Sequence, residues 1–287
     1  MKLKLLVTII LTALLLVPAS GAAQGEIPDT LTLGMVPSRE ADRIVDSLDP
    51  LADMLSERLL IPVETFVSTN YVGLVEAMGT GRVDIGLFGP AALVQAMDRH
   101  GAEVILASVR FGSNTYKSQF TVRCNSGIES FEDLRGKSIA FVEPGSTSGY
   151  QFPYVFLKNE HGIDPNTDMD PINAGSHDAA VLAVYNGDVD VSTTFNDART
   201  AIEGDYPDVM DKLCVLGYTR DIPNDGVVVR PDLDDDLKQQ IQQALIEIAE
   251  TEEGKALTDE LFNVTGFAPI DPSAYDVVRD VSREFQR

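Results

Sequence analysis

Two segments of the chain repeat one another in pattern. Tyr71-Val-Gly-Leu-Val-Glu-Ala-Met-Gly-Thr-Gly81-Arg-Val-Asp-Ile85 and His177-Asp-Ala-Ala-Val-Leu-Ala-Val-Tyr-Asn-Gly187-Asp-Val-Asp-Val191 each carry a helical stretch, a glycine stop and Gly-x-Val-Asp-[Ile/Val]. A helix that stops at glycine and feeds a short apolar strand is part of a parallel crossover unit, because parallel neighbours need a connection that climbs back over the sheet. Residues 31–36, 63–67, 83–88, 102–110 and 119–124 read as strands, with helical period over 41–60 and 71–78. A second series follows: strands at 138–142, 189–194, 213–216 and 227–229, helices at 147–160 and 178–185, then an amphipathic helix from 233 to about 250 and a last helix over 275–285. The pattern predicts an α/β chain of two similar Rossmann-like lobes. Residues 24–117 and 227–287 form lobe 1 and 118–226 lobe 2, with crossings near 116–119 and 223–226. Ligands of such sheets bind beyond the carboxyl ends of the strands, where helix N-termini point, so the expected site is the cleft between lobes.

The N-terminus has a different character. Lys2 and Lys4 precede an apolar run from Leu5 to Val17 and a small, polar stretch to Gln24, the order of a secretory signal peptide over residues 1–23. No cysteine lies near the expected cleavage point, so a lipid anchor is not expected, and the mature chain is placed in an exported compartment. The net charge of -23 opposes nucleic-acid phosphates and anionic lipids, which argues against nucleic acid as a partner. Cys124 and Cys214 are the two cysteines, and an oxidising compartment permits them to pair as a staple. Neither CxxC spacing nor a Cys/His cluster is present, so no metal or other cofactor is expected.

Glu143-Pro-Gly-Ser-Thr-Ser-Gly-Tyr150 sets three hydroxyls, Ser146, Thr147 and Ser148, between two glycines at a strand-to-helix junction. Unpaired N–H groups and the helix dipole suit an oxyanion there without a cationic side chain, and the hydroxyls can donate to it. Helix capping is the ordinary alternative use of such residues. The stretch lacks the Gly-Lys-Ser/Thr ending of a nucleotide-binding loop. His177 opens its own helix and faces the inferred cleft, where it either donates to an anion or caps and packs. His100 and His161 each precede a glycine at a helix end and read as dipole partners. Asp197 and Asp225 fall where strand ends and crossings meet, a place that also suits turn aspartates. Tyr71 and Tyr116 can wall a site or pack in the core.

Taken in order, Ser146-Thr-Ser-Gly149, Asn173-Ala-Gly-Ser-His177, Val189-Asp-Val191 with Asp197, and Ile222-Pro-Asn-Asp225 resemble the phosphate/phosphite/phosphonate-binding proteins of ABC importers. The resemblance spans about residues 30 to 270. It implies a type II periplasmic-binding fold whose lobes, joined by a two-strand hinge, close on a small oxyanion such as 2-aminoethylphosphonate or phosphite and deliver it to an inner-membrane permease. It further implies that Ser146, Thr147, Ser148 and His177 hold the phosphonate oxygens, that Tyr71 and Tyr116 line the pocket, and that Asp197 and Asp225 receive the substrate's amino group. Two departures bear on the pocket: the first acid is the short Asp197 where glutamate is often found, and the wall reads Leu87-Phe-Gly-Pro90. A ligand sensor partnering a histidine kinase is the alternative within this fold. An exported hydrolase built on Ser or Thr with His177 and an aspartate is the alternative outside it, although the residue centred between Gly145 and Gly149 is Thr147, not the serine of a Gly-x-Ser-x-Gly elbow.

Overall fold

The computed structural model describes residues 25–39, 41–110 and 112–286; the expected signal peptide lies outside the described residues. Among the described residues eleven strands form two sheets. The first sheet contains β1 (Leu31–Met35), β2 (Val63–Val67), β3 (Ile85–Phe88), β4 (Glu103–Val109), β10 (Gly226–Val229) and β11 (Gly266–Ala268), in the order β11-β4-β10-β3-β1-β2. The second contains β5 (Thr115–Arg123), β6 (Ser138–Phe141), β7 (Asp170–Asn173), β8 (Val191–Phe195) and β9 (Leu213–Pro223), in the order β7-β6-β8-β5-β9. β1 runs parallel to β2 and β3, and β6 runs parallel to β7 and β8. The returning strand β10 is antiparallel to both β3 and β4. The central strands Ile-Gly-Leu-Phe of β3 and Gly-Val-Val-Val of β10 are buried throughout, as expected where helices cover both faces of a sheet. Mixed α/β layering over two sheets matches the expected fold class.

The internal repeat has a physical basis. Asn70 Oδ1 accepts from Gly73 N at 2.6 Å to start the Tyr71–Gly79 helix, and Ser176 Oγ accepts from Ala179 N at 3.2 Å to start the His177–Asn186 helix. Asp84 Oδ2 then accepts from Thr32 N at 2.7 Å, at the start of β1. Its counterpart Asp190 Oδ2 accepts from Ser138 N at 3.0 Å, at the start of β6. In both halves the aspartate of Gly-x-Val-Asp pins its own strand to the neighbour, so Tyr71 and His177 arrive at matching helix starts beyond the strand ends.

The chain leaves the first sheet after Val109 and enters the second at Thr115; it leaves the second after Pro223 and re-enters the first at Gly226. The strands beside the two crossings are paired, Thr115 opposite Pro223 and Tyr116 opposite Ile222. Asn224 is fully buried between the crossings, donating from Nδ2 to the carbonyls of Ser108 at 2.9 Å and Ser113 at 2.8 Å. At the other end of β5 and β9, Cys124 and Cys214 form a disulfide.

Candidate functional site

A small cavity lies between the sheets. Its floor is the hydroxyl turn, where Ser146, Thr147 and Ser148 are each no more than 3% exposed. Over residues Thr147–Gln151 the backbone takes a single π-helical turn before the Phe152–Glu160 α-helix begins. Ser146 Oγ accepts from Gly149 N at 3.1 Å, so capping is part of its role. Thr147 Oγ1 accepts from Ala91 N at 2.8 Å, at the start of the Pro90–His100 helix of the first sheet. With these oxygens accepting backbone N–H groups, their O–H protons are available as donors.

His177 also lines the cavity. Burial lowers its imidazole from the ordinary 6.5 to about 3, with the positive charges of Arg39 and Arg110 acting in the same direction. Phe195 N donates to Nδ1 at 3.4 Å, which leaves the proton of the neutral ring on Nε2 as its donor. Tyr71 and Tyr116 complete the polar wall. Burial raises both phenols well above their ordinary range, and the hydroxyls of Ser146 near Tyr71 and of Ser148 and Thr147 near Tyr116 pull them down by less. The site thus gathers six neutral donors, all buried, with no carboxylate among them.

The two halves meet around this cavity. Tyr71 N donates to Glu143 Oε1 at 2.8 Å, and His177 N donates to the carbonyl of Ser38 at 3.1 Å. A side chain at Gly145 would run into Cβ of Tyr71, so the close approach of the hydroxyl loop to the first half requires glycine at that position.

At the opposite end the structure departs from the sequence expectation. Asp225 does line the cavity, but its carboxylate accepts from Arg110 Nη2 at 2.5 Å. Burial pushes the Asp225 carboxyl up, and Arg110 pulls it down by less. Asp197 is not among the lining residues: its side chain is 51% exposed and pairs with Arg199 at 3.1 Å. It sits in a left-handed turn, φ 61°, with its N–H donating to Gln119 Oε1, so the backbone turns the carboxylate toward Arg199 rather than the cleft. Arg110, Phe195 and Gly89, which no sequence motif marks, also line the cavity. Arg110 has no motif around it; its place at the end of β4, beside the crossing, was the available signal. The expected cation-free site is therefore corrected, since the guanidinium of Arg110 lies in the cavity. Among the described residues no group of His, Cys, Asp or Glu is placed to hold a metal ion.

Two facing α/β halves closed over a buried, donor-lined cavity define a two-lobed receptor for a small solute. Residues 33–275 match the model of the ABC transporter, phosphonate, periplasmic substrate-binding protein family, and the chain belongs to that family as a substrate-binding component of an ABC importer. It is 32% identical to the phosphate-import protein PhnD of Mycolicibacterium smegmatis over 92% of this chain and 88% of that protein. It is 29% identical to the phosphonates-binding periplasmic protein of Escherichia coli, over 91% of this chain and 76% of that one. A binding protein component of an ABC phosphonate transporter from Pseudomonas aeruginosa superposes with a TM-score of 0.81 at 25% identity, covering 90% of this chain and 86% of that structure.

Proposed function

We propose that this chain captures a phosphorus oxyanion of the phosphate, phosphite or small phosphonate class in the cavity between its halves and hands it to a membrane permease. The observation that carries the reading is the convergence of the Ser146, Thr147 and Ser148 hydroxyls with His177 and two un-ionised phenols in one closed cavity. Neutral donors suit a tetrahedral oxyanion, which needs several hydrogen bonds and must still be released. Similarity to a phosphate-import protein and to a phosphonates-binding periplasmic protein supports the same class. In this reading residues 24–117 with 227–287 and residues 118–226 are the two lobes, residues 1–23 are removed on export without lipid attachment, and Asp225 acts through Arg110. Asp197 has no part in it.

The same geometry disfavours catalysis. The Ser146 and Thr147 oxygens accept backbone N–H groups, and His177 Nδ1 accepts from Phe195, so no base is set to activate a hydroxyl nucleophile. Thermal melts with phosphate, phosphite and methylphosphonate test the proposal. Ligand at a hundredfold over its dissociation constant should add about 2.7 kcal/mol of stability. Melts unmoved by all three would overturn it.

A further inference from the structure

The cavity has a second end, and its charge is set by a pair of residues. Arg110 and Asp225 are both buried, at 7% and 8% exposure, and joined by the 2.5 Å contact. The guanidinium carbon of Arg110 lies 5.1 Å from the ring centroid of Tyr116 and 5.8 Å from that of Phe195, so two aromatic walls of the cavity face it. A short turn holds the residue at its root: Arg110 N donates to the carbonyl of Ser113 at 3.0 Å, and Ser113 N donates back to that of Arg110 at 2.8 Å. Arg39 also lies over Phe195, its guanidinium carbon 5.9 Å from that ring. Both arginines act on His177 as nearby positive charges.

A ligand carrying an ammonium group needs an uncompensated carboxylate at this end. Asp225 is compensated by Arg110, and Asp197 is turned away and paired with Arg199. An ammonium brought beside a desolvated guanidinium meets a like charge where water does not screen it. Resting on the function proposed above, we infer that Arg110 determines specificity: it reserves the site for phosphorus oxyanions without an amino group and rejects aminoalkylphosphonates. An uncharged substituent on phosphorus, hydrogen, hydroxyl or a short alkyl group, needs no carboxylate at this end and meets the aromatic wall of Tyr116 and Phe195 instead.

An isosteric pair separates charge from size. Ethylphosphonate and aminomethylphosphonate have the same number of heavy atoms and differ at the terminal group, methyl against ammonium. Calorimetry on the mature protein should find ethylphosphonate binding at least about 100-fold more tightly than aminomethylphosphonate. In Arg110→Gln the ratio should fall to within about fivefold, because Asp225 is released to face the ammonium. Should that variant fail to fold, the wild-type ratio decides alone. Equal affinities in the wild type overturn the inference. So does methylphosphonate binding while both isosteres fail, which would make size the discriminator. If no phosphorus oxyanion binds at all, the function on which the inference rests has failed, a result distinct from either of these.

Discussion

Single residues set both the charge state and the size of the cavity. His177 is held neutral, its imidazole lowered from 6.5 to about 3 by burial first and by Arg39 and Arg110 second. Between those values the unfolded chain takes up a proton that the folded chain refuses, so stability is intact above pH 6.5 and falls as the pH drops through that window. The loss approaches about 1.4 kcal/mol per pH unit at its steepest. His177→Gln removes the titration, and urea melts at pH 7.5 and 4.5 should show a smaller acid-side loss than in the wild type; an unchanged loss would place the proton uptake elsewhere. Gly89 controls space. A Cβ there would lie 3.8 Å from Asp225 Oδ1, Thr147 Oγ1 and Tyr71 Cε1, an ordinary contact distance, and the backbone at φ -67°, ψ 152° is open to any residue. Gly89→Ala should therefore keep binding, while Gly89→Leu should occupy the cavity and abolish the ligand-induced rise in melting temperature. Without ligand, its stability should fall by no more than about 1–3 kcal/mol, the cost of an overpacked interior site.

Elements bring those residues together by their starting points. The Tyr71–Gly79 and His177–Asn186 helices begin at the cleft, and the loop from Glu143 to Ser146 closes against the first of them. Gly145→Ala places a methyl against Cβ of Tyr71 and should hold the halves apart. Affinity is expected to fall by at least about tenfold, with small-angle scattering of the ligand-saturated variant staying more extended than that of the saturated wild type. Matching scattering curves would show that the loop yields without cost to closure. Much of this layer was legible in the sequence, because the repeat fixes where Tyr71 and His177 fall and its aspartates perform the same backbone pinning in each half. β7, with its Asp-Pro-Ile-Asn sequence, was not legible: it is a largely exposed edge strand, where proline is tolerated and the apolar signal is weak. The Pro90–His100 helix is legible at its end, where His100 precedes Gly101 in the left-handed conformation, but its start at Pro90 carries no comparable signal. At the site the hydroxyls and His177 carried local signals, whereas the Arg110–Asp225 pair joins residues 115 positions apart and is visible only once the crossings are built.

At the scale of the whole molecule, stability and ligand capture are separable because they reside at opposite ends of the same strands. β5 and β9 begin their pairing beside the crossings, where Tyr116 lines the cavity and Asn224 ties the connections, and they end at the Cys124–Cys214 disulfide. A strand advances about 3.3 Å per residue, which puts the disulfide roughly 25–30 Å from the crossings. It closes a loop spanning 90 positions, so its loss relaxes the unfolded chain and should remove on the order of 4 kcal/mol. The cavity should not register that loss. In a Cys124→Ser/Cys214→Ser double variant, urea midpoints should drop with and without ligand, while the stability added by a fixed ligand excess, which depends on the dissociation constant alone, should match the wild-type increment. An increment that shrinks in the double variant would show that the disulfide helps hold the cleft closed, and that the second sheet transmits strain along its full length to the hinge.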